Sequence, residues 1–446
     1  MTRTLISNGT VIDPAQGIHA QLDVLVEDGR VLDMQRTIAA EQAAEVIDAS
    51  GLVVAPGFVD LHVHLREPGG EGAETIASGT RAAAFGGFTT IYAMPNTNPV
   101  CDTQTGVAYV LSRAASEGLV KVVPIAAVTI GQQGTDLTNL GALKDAGAGA
   151  FSDDGHPIMN AEIMRRVLEY TRVLERPVFE HCEDLNLTGQ GVMHEGLVSL
   201  QLGLKGIPRV SESIIVARNV ALAAATGGHI HICHVSARES VEAIREGKRS
   251  GVRVTAEVTP HHLTMTDEAV RGYDTHAKMK PPLCAEEDRL ALVAGLEDGT
   301  IDCIATDHAP HSSTAKNNVF DAAPFGIIGM ESAFPVLYTT FVETGQWTLD
   351  FLIERMTNAP AKIVDRRIGS LQTGMPADIV LLEMGTEYTF DASYIGSKSS
   401  NCPWLGQRLK GRIAATMVDG RIVHRREDAF GGVKTAPRKR AAGKRK

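Results

Sequence analysis

The spacing of hydrophobic and polar positions divides this chain into distinct kinds of segment. Residues 1–55 contain short stretches in which apolar and polar residues alternate, separated by turns such as Asp28-Gly29. This pattern is typical of strands in a small sheet. It returns near the other end, over 377–383 and 413–423. Because an isolated hairpin is only marginally stable in water, we predict that both ends combine into one small β-domain, residues 1–55 with 370–430.

Residues 56–369 show a different pattern, in which short apolar stretches alternate with stretches of helical periodicity. One helical stretch, 212–225, is followed by a glycine stop at Gly227. The predicted strands cover 52–64, 89–94, 121–129, 148–154, 177–183, 229–235, 253–259 and 301–307. Eight strands alternating with helices predict an α/β fold, a parallel (β/α)8 TIM-type barrel. A doubly wound open sheet would carry a glycine-rich phosphate turn after its first strand, and the sequence has none there.

Composition places the chain among ordinary globular proteins. It has 446 residues, of which 43% are hydrophobic and 22% charged. No apolar run reaches transmembrane length and the N-terminus lacks the pattern of a signal peptide, so we expect a cytoplasmic protein without a membrane partner. The six cysteines are scattered without a C-x-x-C pair, which argues against a disulfide framework or a zinc ribbon.

The net charge of −10 is unevenly distributed along the chain. Residues 434–446 carry seven Lys or Arg and no acid, which leaves −17 on residues 1–433. An acidic body disfavours a nucleic-acid partner, because phosphate binding needs a basic face. We predict that residues 431–446 form a basic disordered tail.

Histidines and carboxylates stand at the ends of the predicted strands. His62 and His64 are two positions apart on the first strand, so their side chains share one face. The other candidates follow later strands and are Asp153, Asp154, His181, His234 and Asp307. The carboxyl ends of barrel strands converge, so these side chains should meet. Such donors suit Zn²⁺ or a similar divalent ion, and they suffice for two ions.

Several longer motifs carry a resemblance to a known family. They are FVDLHVHLREPG at 58–69, GFTT at 87–90, MPNT at 94–97, TDHAPH at 306–311 and PFGIIG at 324–329. Together they resemble the amidohydrolase superfamily, and specifically its class I dihydroorotases, over residues 1 to about 425. The resemblance implies reversible, zinc-dependent cyclisation of N-carbamoyl-L-aspartate to dihydroorotate, a step of pyrimidine biosynthesis.

The resemblance also implies roles for the candidate metal ligands. His62, His64 and Asp307 would hold one zinc ion, and His181 and His234 would hold a second. Asp154 would bridge the two. Many relatives bridge with a carboxylated lysine instead, but residues 149–155 contain no lysine.

Further roles in the reaction follow from the same resemblance. Asp307 would be the catalytic acid and base, moving a proton between water and the ring nitrogen. Substrate contacts would come from His64, Arg66, Asn96, His311, Phe325 and Gly326. Arg66, Asn96 and His311 would hold the substrate carboxylate, and a guanidinium suits that task because it can form two parallel hydrogen bonds.

The sequence departs from the family pattern at one motif. The usual Met-Asn-Pro-Pro-Leu-Arg is Met279-Lys280-Pro281-Pro282-Leu283-Cys284 here, so a lysine replaces an asparagine that contacts substrate. We predict that Lys280 turns to solvent, because a hydrated ammonium is costly to bury without a fixed partner. His261 and His262, which follow Thr259 and Pro260, match no residue that binds metal in this family, and we interpret them as structural.

Other functions are compatible with the same sequence. The chain could be another cyclic-amide hydrolase, such as an allantoinase, or a non-catalytic homologue that serves as a scaffold for aspartate transcarbamoylase. Scaffold homologues lose metal ligands, and this chain keeps every one, which favours an enzyme with a small-molecule substrate. A homodimer and an association with aspartate transcarbamoylase are both compatible with the sequence.

Overall fold

The computed structural model describes residues 3–364 and 367–430, so the predicted basic tail lies outside the described residues. Its strands are β1 Arg3–Asp13, β2 Ile18–Glu27, β3 Arg30–Gln35, β4 Glu45–Asp48, β5 Val53–Pro56, β6 Phe58–Val63, β7 Phe88–Ala93, β8 Lys121–Ala126, β9 Ala150–Ser152, β10 Val178–Glu180, β11 Met193–His194, β12 Gly206–Ile207, β13 Ile230–Ile232, β14 Val254–Val258, β15 Cys303–Ile304, β16 Ile379–Glu383, β17 Tyr388–Thr389, β18 Arg408–Leu409, β19 Arg412–Val418 and β20 Arg421–Arg425.

The α-helices lie mainly between the barrel strands. They are α1 Ile76–Phe85, α2 Gln104–Glu117, α3 Leu140–Ala146, α4 Ala161–Leu174, α5 Leu185–Thr188, α6 Leu197–Leu202, α7 Val210–Thr226, α8 Arg238–Arg249, α9 Pro260–Thr264, α10 Glu286–Glu297, α11 Ser313–Lys316, α12 Met330–Leu337, α13 Leu349–Met356 and α14 Asn358–Val364. Helix α7 ends at Gly227, whose φ of 70° is a left-handed conformation that glycine adopts without steric cost. The predicted glycine stop is therefore confirmed.

The predicted barrel is confirmed. Eight parallel strands pair in the order β6-β7-β8-β9-β10-β13-β14-β15. The ring closes where Val63 pairs with His308 beyond β15 and the His64 N–H donates to the His308 carbonyl at 2.9 Å. Apolar side chains from successive strands, among them Leu61, Ile125 and Phe179, fill the interior. Closure places the carboxyl ends of β6 and β15 side by side.

The first predicted strand, 52–64, is two strands in the structure. Strand β5 pairs with β1 and β16 in the small sheet, whereas β6 begins the barrel. The chain passes between the sheets at Gly57, whose N–H donates to the Asp378 carbonyl at 2.9 Å. A Cβ atom at Gly57 would lie 2.1 Å from Thr89, so only glycine permits this approach.

The small sheet combines both ends of the chain, as predicted. Its order is β20-β19-β16-β5-β1-β2-β3, with β4 paired to β1. Buried residues from both ends, such as Val11, Val54, Leu381 and Ala415, pack in one cluster. The exact domain limits of 1–55 with 370–430, and of 56–369, stay a prediction.

One segment between β16 and β19 leaves the small sheet and packs on the barrel. Phe390 and Trp404 share a buried cluster with Met279 and Ile328. This segment brings Asn401 to the loops that follow the barrel strands, where it contributes to the site described below. None of the helices within 3–364 and 367–430 is long and apolar enough to cross a membrane.

Candidate metal and active site

Strands β6 and β15 bring the first three candidate ligands together. The Asp307 Oδ1 atom lies 3.1 Å from His64 Nε2 and 3.5 Å from His62 Nε2. All three side chains are buried. The backbone of Asp307 has a φ of 45°, which is uncommon for a residue other than glycine and turns the carboxylate toward the two imidazoles.

Strands β9, β10 and β13 supply the other three candidate ligands. The Asp154 Oδ1 atom lies 3.4 Å from His62 Nε2, 3.8 Å from His234 Nε2 and 3.9 Å from His181 Nδ1. The His181 Nδ1 and His234 Nε2 atoms are 2.9 Å apart. The structure thus gathers all six predicted ligands into one buried cluster.

Asp153, the other candidate on β9, takes no part in this cluster. Its carboxylate accepts hydrogen bonds from the Val128 and Thr129 amides, at 2.8 and 3.1 Å, and from the Thr129 hydroxyl. Asp153 therefore stabilises the loop that follows β8. Successive side chains after a strand point to opposite sides, which separates Asp153 from Asp154.

The donor set of this cluster fits a divalent cation. His62 Nε2 and Asp154 Oδ1 are both buried, and neither has a hydrogen-bond partner among the residues that the structure describes. Buried polar atoms normally find a partner, so two orphaned atoms facing one another indicate a missing cation. Two groups of three donors in this cluster lie within 4.8 Å of one another, His62 with His64 and Asp307, and His62 with Asp154 and His234. A third such group joins His62 to Cys233 and Glu257. Imidazole and carboxylate donors suit Zn²⁺.

Electrostatics favour binding-competent protonation states at three of these ligands. Burial alone would raise the pKa of Asp307, but the His62 and His64 imidazoles hold that pKa well below its usual value. Burial likewise opposes ionisation of Asp154, and His62 and His234 lower its pKa despite that. Burial and the Arg66 guanidinium lower the pKa of His64. The carboxylates are therefore ionised and His64 is neutral at neutral pH, as metal binding requires. The fourth, His62, differs: burial lowers its pKa, but Asp307 and Asp154 raise that pKa well above its usual value, so His62 must lose a proton when a cation binds.

The predicted carboxylate-binding residues lie beside the ligand cluster. A terminal nitrogen of the Arg66 guanidinium lies 3.4 Å from His311 Nε2, and Arg66 Nε donates to the Pro310 carbonyl at 3.2 Å. Asn96 accepts from His64 Nδ1 at 2.9 Å and donates to Asp154 Oδ2 at 3.3 Å. Asn96 therefore orients two ligands in addition to any substrate role.

Asn401 holds the loop that contains Phe325 and Gly326 in place through hydrogen bonds. The sequence analysis did not identify this residue. The Asn401 side-chain amide donates to the Ala309 and Gly326 carbonyls at 3.0 Å each, and its oxygen accepts from the His311 amide at 3.1 Å. A Cβ atom at Gly326 would lie 2.6 Å from the Ala309 carbonyl oxygen, and φ there is 147°. Only glycine brings this loop so close to His311.

The prediction that Lys280 turns to solvent is wrong. Its ammonium lies 2.9 Å from Glu183 Oε1 and 5.6 Å from the centre of the Phe325 ring, and its side chain is 27% exposed. The second Glu183 oxygen lies 3.3 Å from His181 Nε2. Burial opposes ionisation of Glu183, but His181 and Lys280 lower its pKa to about 2. Glu183 is thus the fixed partner that makes partial burial of the ammonium favourable.

His261 and His262 lie side by side in helix α9, which follows barrel strand β14. His262 bonds the Thr259 hydroxyl through Nδ1 at 2.8 Å and the Pro281 carbonyl through Nε2 at 3.0 Å. Both of its ring nitrogens are therefore used in fixing the backbone, as expected for a structural residue. The His261 ring lies against it, with the ring centres 4.5 Å apart. Both His261 ring nitrogens are buried without a hydrogen-bond partner among the described residues, so the structural role of His261 stays a prediction.

Comparisons with known proteins agree with this fold and site. A family model described as "Dihydro-orotase-like" matches residues 51–240. The dihydroorotase of Pelobacter propionicus is 51% identical over 422 residues, which cover 95% of this chain and 99% of that protein. The dihydroorotase of Caldanaerobacter subterraneus subsp. tengcongensis is 49% identical over 428 residues, covering 96% of this chain and 99% of that protein.

Solved structures share the fold at lower identity. An L-hydantoinase (dihydropyrimidinase) from Arthrobacter aurescens superposes with a TM-score of 0.85 at 24% identity, covering 98% of both chains. A dihydropyrimidinase from Brevibacillus agri superposes with a TM-score of 0.83 at 22% identity, covering 95% of both chains.

The barrel, the small sheet and the ligand cluster define a cyclic amidohydrolase of the amidohydrolase superfamily, a class of metal-dependent enzymes. Within that class, the chain belongs to the dihydroorotase family. The resemblance drawn from its motifs is confirmed.

Proposed function

We propose that the protein is a dihydroorotase, which opens dihydroorotate to N-carbamoyl-L-aspartate and closes the ring in the reverse direction. One observation carries the proposal for this chain: the Arg66–His311 pair lies immediately beside a buried cluster of four histidines and two carboxylates. The cluster supplies the groups needed for amide hydrolysis. The pair supplies a site for the one carboxylate that dihydroorotate keeps outside its ring.

The ligand cluster is proposed to hold two zinc ions. His62, His64 and Asp307 would hold the first, His181 and His234 would hold the second, and Asp154 would contribute to both. A divalent ion bound here would lower the pKa of a coordinated water and polarise the amide carbonyl. Asn96 and Glu183 fix the orientations of His64 and His181 through the hydrogen bonds described above.

Asp307 is proposed to carry the proton through the reaction. During hydrolysis, the water oxygen bonds to the ring carbonyl carbon and the water proton passes to the Asp307 carboxylate. The carbon–nitrogen bond then breaks, and Asp307 delivers the proton to the departing ring nitrogen. Ring closure follows the same steps in reverse.

The substrate is proposed to be held from two sides. Arg66, with His311 and Asn96, binds the exocyclic carboxylate, and a guanidinium is well shaped for that group. Phe325 and Gly326 contact the ring, and His64 lies between the carboxylate site and the metal ligands. A cytoplasmic location, a homodimer and an association with aspartate transcarbamoylase stay predictions.

A substrate panel tests this proposal. The purified protein, with its metal content measured, is assayed with dihydroorotate, N-carbamoyl-L-aspartate, allantoin and a simple hydantoin. We expect turnover of the first two compounds well above that of the others. Preference for allantoin would favour the allantoinase alternative, and no turnover by a metal-loaded protein would favour a scaffold.

Metal removal should abolish activity without unfolding the barrel. Prolonged dialysis against a chelator is expected to reduce turnover to background, and addition of zinc should restore it, because no other group in the cluster polarises the carbonyl. Elemental analysis, turnover and circular dichroism are measured on the same samples. Full activity with less than one ion per chain would contradict the prediction.

Replacing Lys280 with asparagine should weaken substrate binding most at low ionic strength. The change removes a positive charge beside Phe325 and leaves the buried Glu183 carboxylate without its ammonium partner. The measurement is kcat/KM across a salt series. Lys362→Asn is the control, because Lys362 is exposed and pairs with Glu354 away from the site. Equal salt dependence in Lys280→Asn and the unmodified protein would show that Lys280 does not act on the substrate.

A further inference from the structure

A continuous line of buried polar side chains runs through the barrel interior to the ligand His62. Glu257 Oε1 lies 2.8 Å from His62 Nδ1, and Glu257 Oε2 lies 3.0 Å from His231 Nε2. The Thr255 hydroxyl lies 2.9 Å from His231 Nδ1 and 2.9 Å from His229 Nε2. His62, His231 and Glu257 are each 0% exposed.

The strand register explains how these groups meet. Thr255 and Glu257 are two positions apart on β14, so they share one face of the strand. His231 on β13 is the direct partner of Thr255 in the parallel ladder. Closure of the barrel then brings Glu257 to His62 on β6. A fully buried carboxylate is unfavourable in a barrel core unless its oxygens are paired, and here each oxygen has an imidazole partner.

The directions of these hydrogen bonds can be assigned. An ionised carboxylate only accepts, so both His62 Nδ1 and His231 Nε2 must carry a hydrogen. A neutral His231 then accepts at Nδ1 from the Thr255 hydroxyl, which in turn accepts from the His229 N–H. With a cation bound at His62, every group in the line is satisfied with neutral histidines. The one atom left over is His62 Nε2, which faces Asp154 and Asp307 without a hydrogen-bond partner in the described part of the chain.

We infer that Glu257, supported by His231 and Thr255, is a positioning residue that fixes His62 as its Nδ1–H tautomer and so reserves Nε2 for the metal ion. The inference rests on the proposed metal site. The other tautomer would point an N–H group at the cluster, where it could not bind a cation. A hydrogen-bonded carboxylate also makes an imidazole a stronger ligand.

The first test measures zinc affinity by competition with a chromogenic chelator, without substrate. In Glu257→Gln, the uncharged amide either presents an N–H group that forces His62 into the other tautomer, or presents its oxygen and accepts a weaker hydrogen bond that makes His62 a poorer ligand. We expect zinc affinity to fall about 10- to 100-fold. Thr255→Val removes only the hydroxyl and should cause a smaller loss in the same direction. Glu180→Gln is the matched control, because Glu180 is equally buried on β10 but accepts its hydrogen bond from the Ile158 amide.

The second test needs no variant of Glu257. In the zinc-loaded protein labelled with ¹⁵N-histidine, the His62 resonances are assigned by comparison with His62→Gln. We expect a protonated Nδ1 and an unprotonated Nε2. A protonated Nε2, or a zinc affinity of Glu257→Gln equal to that of Glu180→Gln, would overturn the inference, as would failure of the unmodified chain to bind zinc. Tight zinc binding without turnover of dihydroorotate would instead overturn only the proposed function.

Discussion

Replacing Asp307 with asparagine is expected to lower turnover by about 10²- to 10⁴-fold in both directions, the usual range for loss of a general acid or base. The amide has nearly the same shape as the carboxylate but cannot accept the proton. Because Asp307 is also a proposed ligand, zinc affinity should fall as well, so the assay is run with saturating zinc. Turnover of dihydroorotate and of N-carbamoyl-L-aspartate is measured separately.

Asp302→Asn provides a control on the same segment. Asp302 precedes β15, lies at the opposite end of the barrel and binds Lys248 and the Ala256 amide, at 2.7 and 2.8 Å. Its loss should lower stability modestly and leave zinc-saturated turnover close to normal. If Asp307→Asn retained near-normal turnover in both directions with zinc bound, the proton-transfer role would belong to another group.

The ligand cluster could be predicted from the sequence because each ligand lies at, or within three residues of, the carboxyl end of a strand with a clear apolar pattern. In a closed parallel barrel, these positions must meet whatever the loops between them do. The strand assignment and the residue type were therefore enough to predict His62, His181 and Asp307 as ligands. The same rule could not separate Asp153 from Asp154, since both follow β9. The family resemblance selected Asp154 as the ligand. In the structure, the Asp153 carboxylate binds the Val128 and Thr129 amides, whereas the Asp154 carboxylate faces the histidines.

Lys280 shows where sequence reasoning fails. An ammonium is costly to bury unless a fixed partner faces it, so the orientation of Lys280 depends on whether such a partner is present. That partner, Glu183, follows a different strand, and nothing near Lys280 in the sequence indicates it. Asn401 was missed for a similar reason, because it lies in a segment that leaves the small sheet and packs on the barrel. Glu257 carried a usable signal, a carboxylate in a buried strand whose one other polar residue is Thr255.

Replacing Arg66 with methionine is the sharpest test of substrate identity. Methionine keeps much of the apolar stem but removes the guanidinium beside His311. Hydrogen bonds to a charged group contribute about 1.5–3 kcal/mol, so kcat/KM for dihydroorotate should fall about 10- to 100-fold, mainly through KM. Arg66→Lys should recover only part of this loss, because an ammonium cannot bind a carboxylate with two parallel hydrogen bonds.

A substrate that lacks the carboxylate distinguishes a role of Arg66 in binding that group from a role in shaping the active site. Arg66 has a φ of 58° and donates to the Pro310 carbonyl, so its side chain also helps to fix the loop after β15. If Arg66 recognises the carboxylate, a dihydropyrimidine ring that lacks this group should lose much less in Arg66→Met than dihydroorotate does. Arg165→Met controls for the loss of an arginine, because Arg165 pairs with Glu162 and Glu169 on the outer helix α4. Equal losses of kcat/KM on both substrates would mean that Arg66 shapes the site but does not bind the carboxylate. The preference for dihydroorotate would then have to come from other residues.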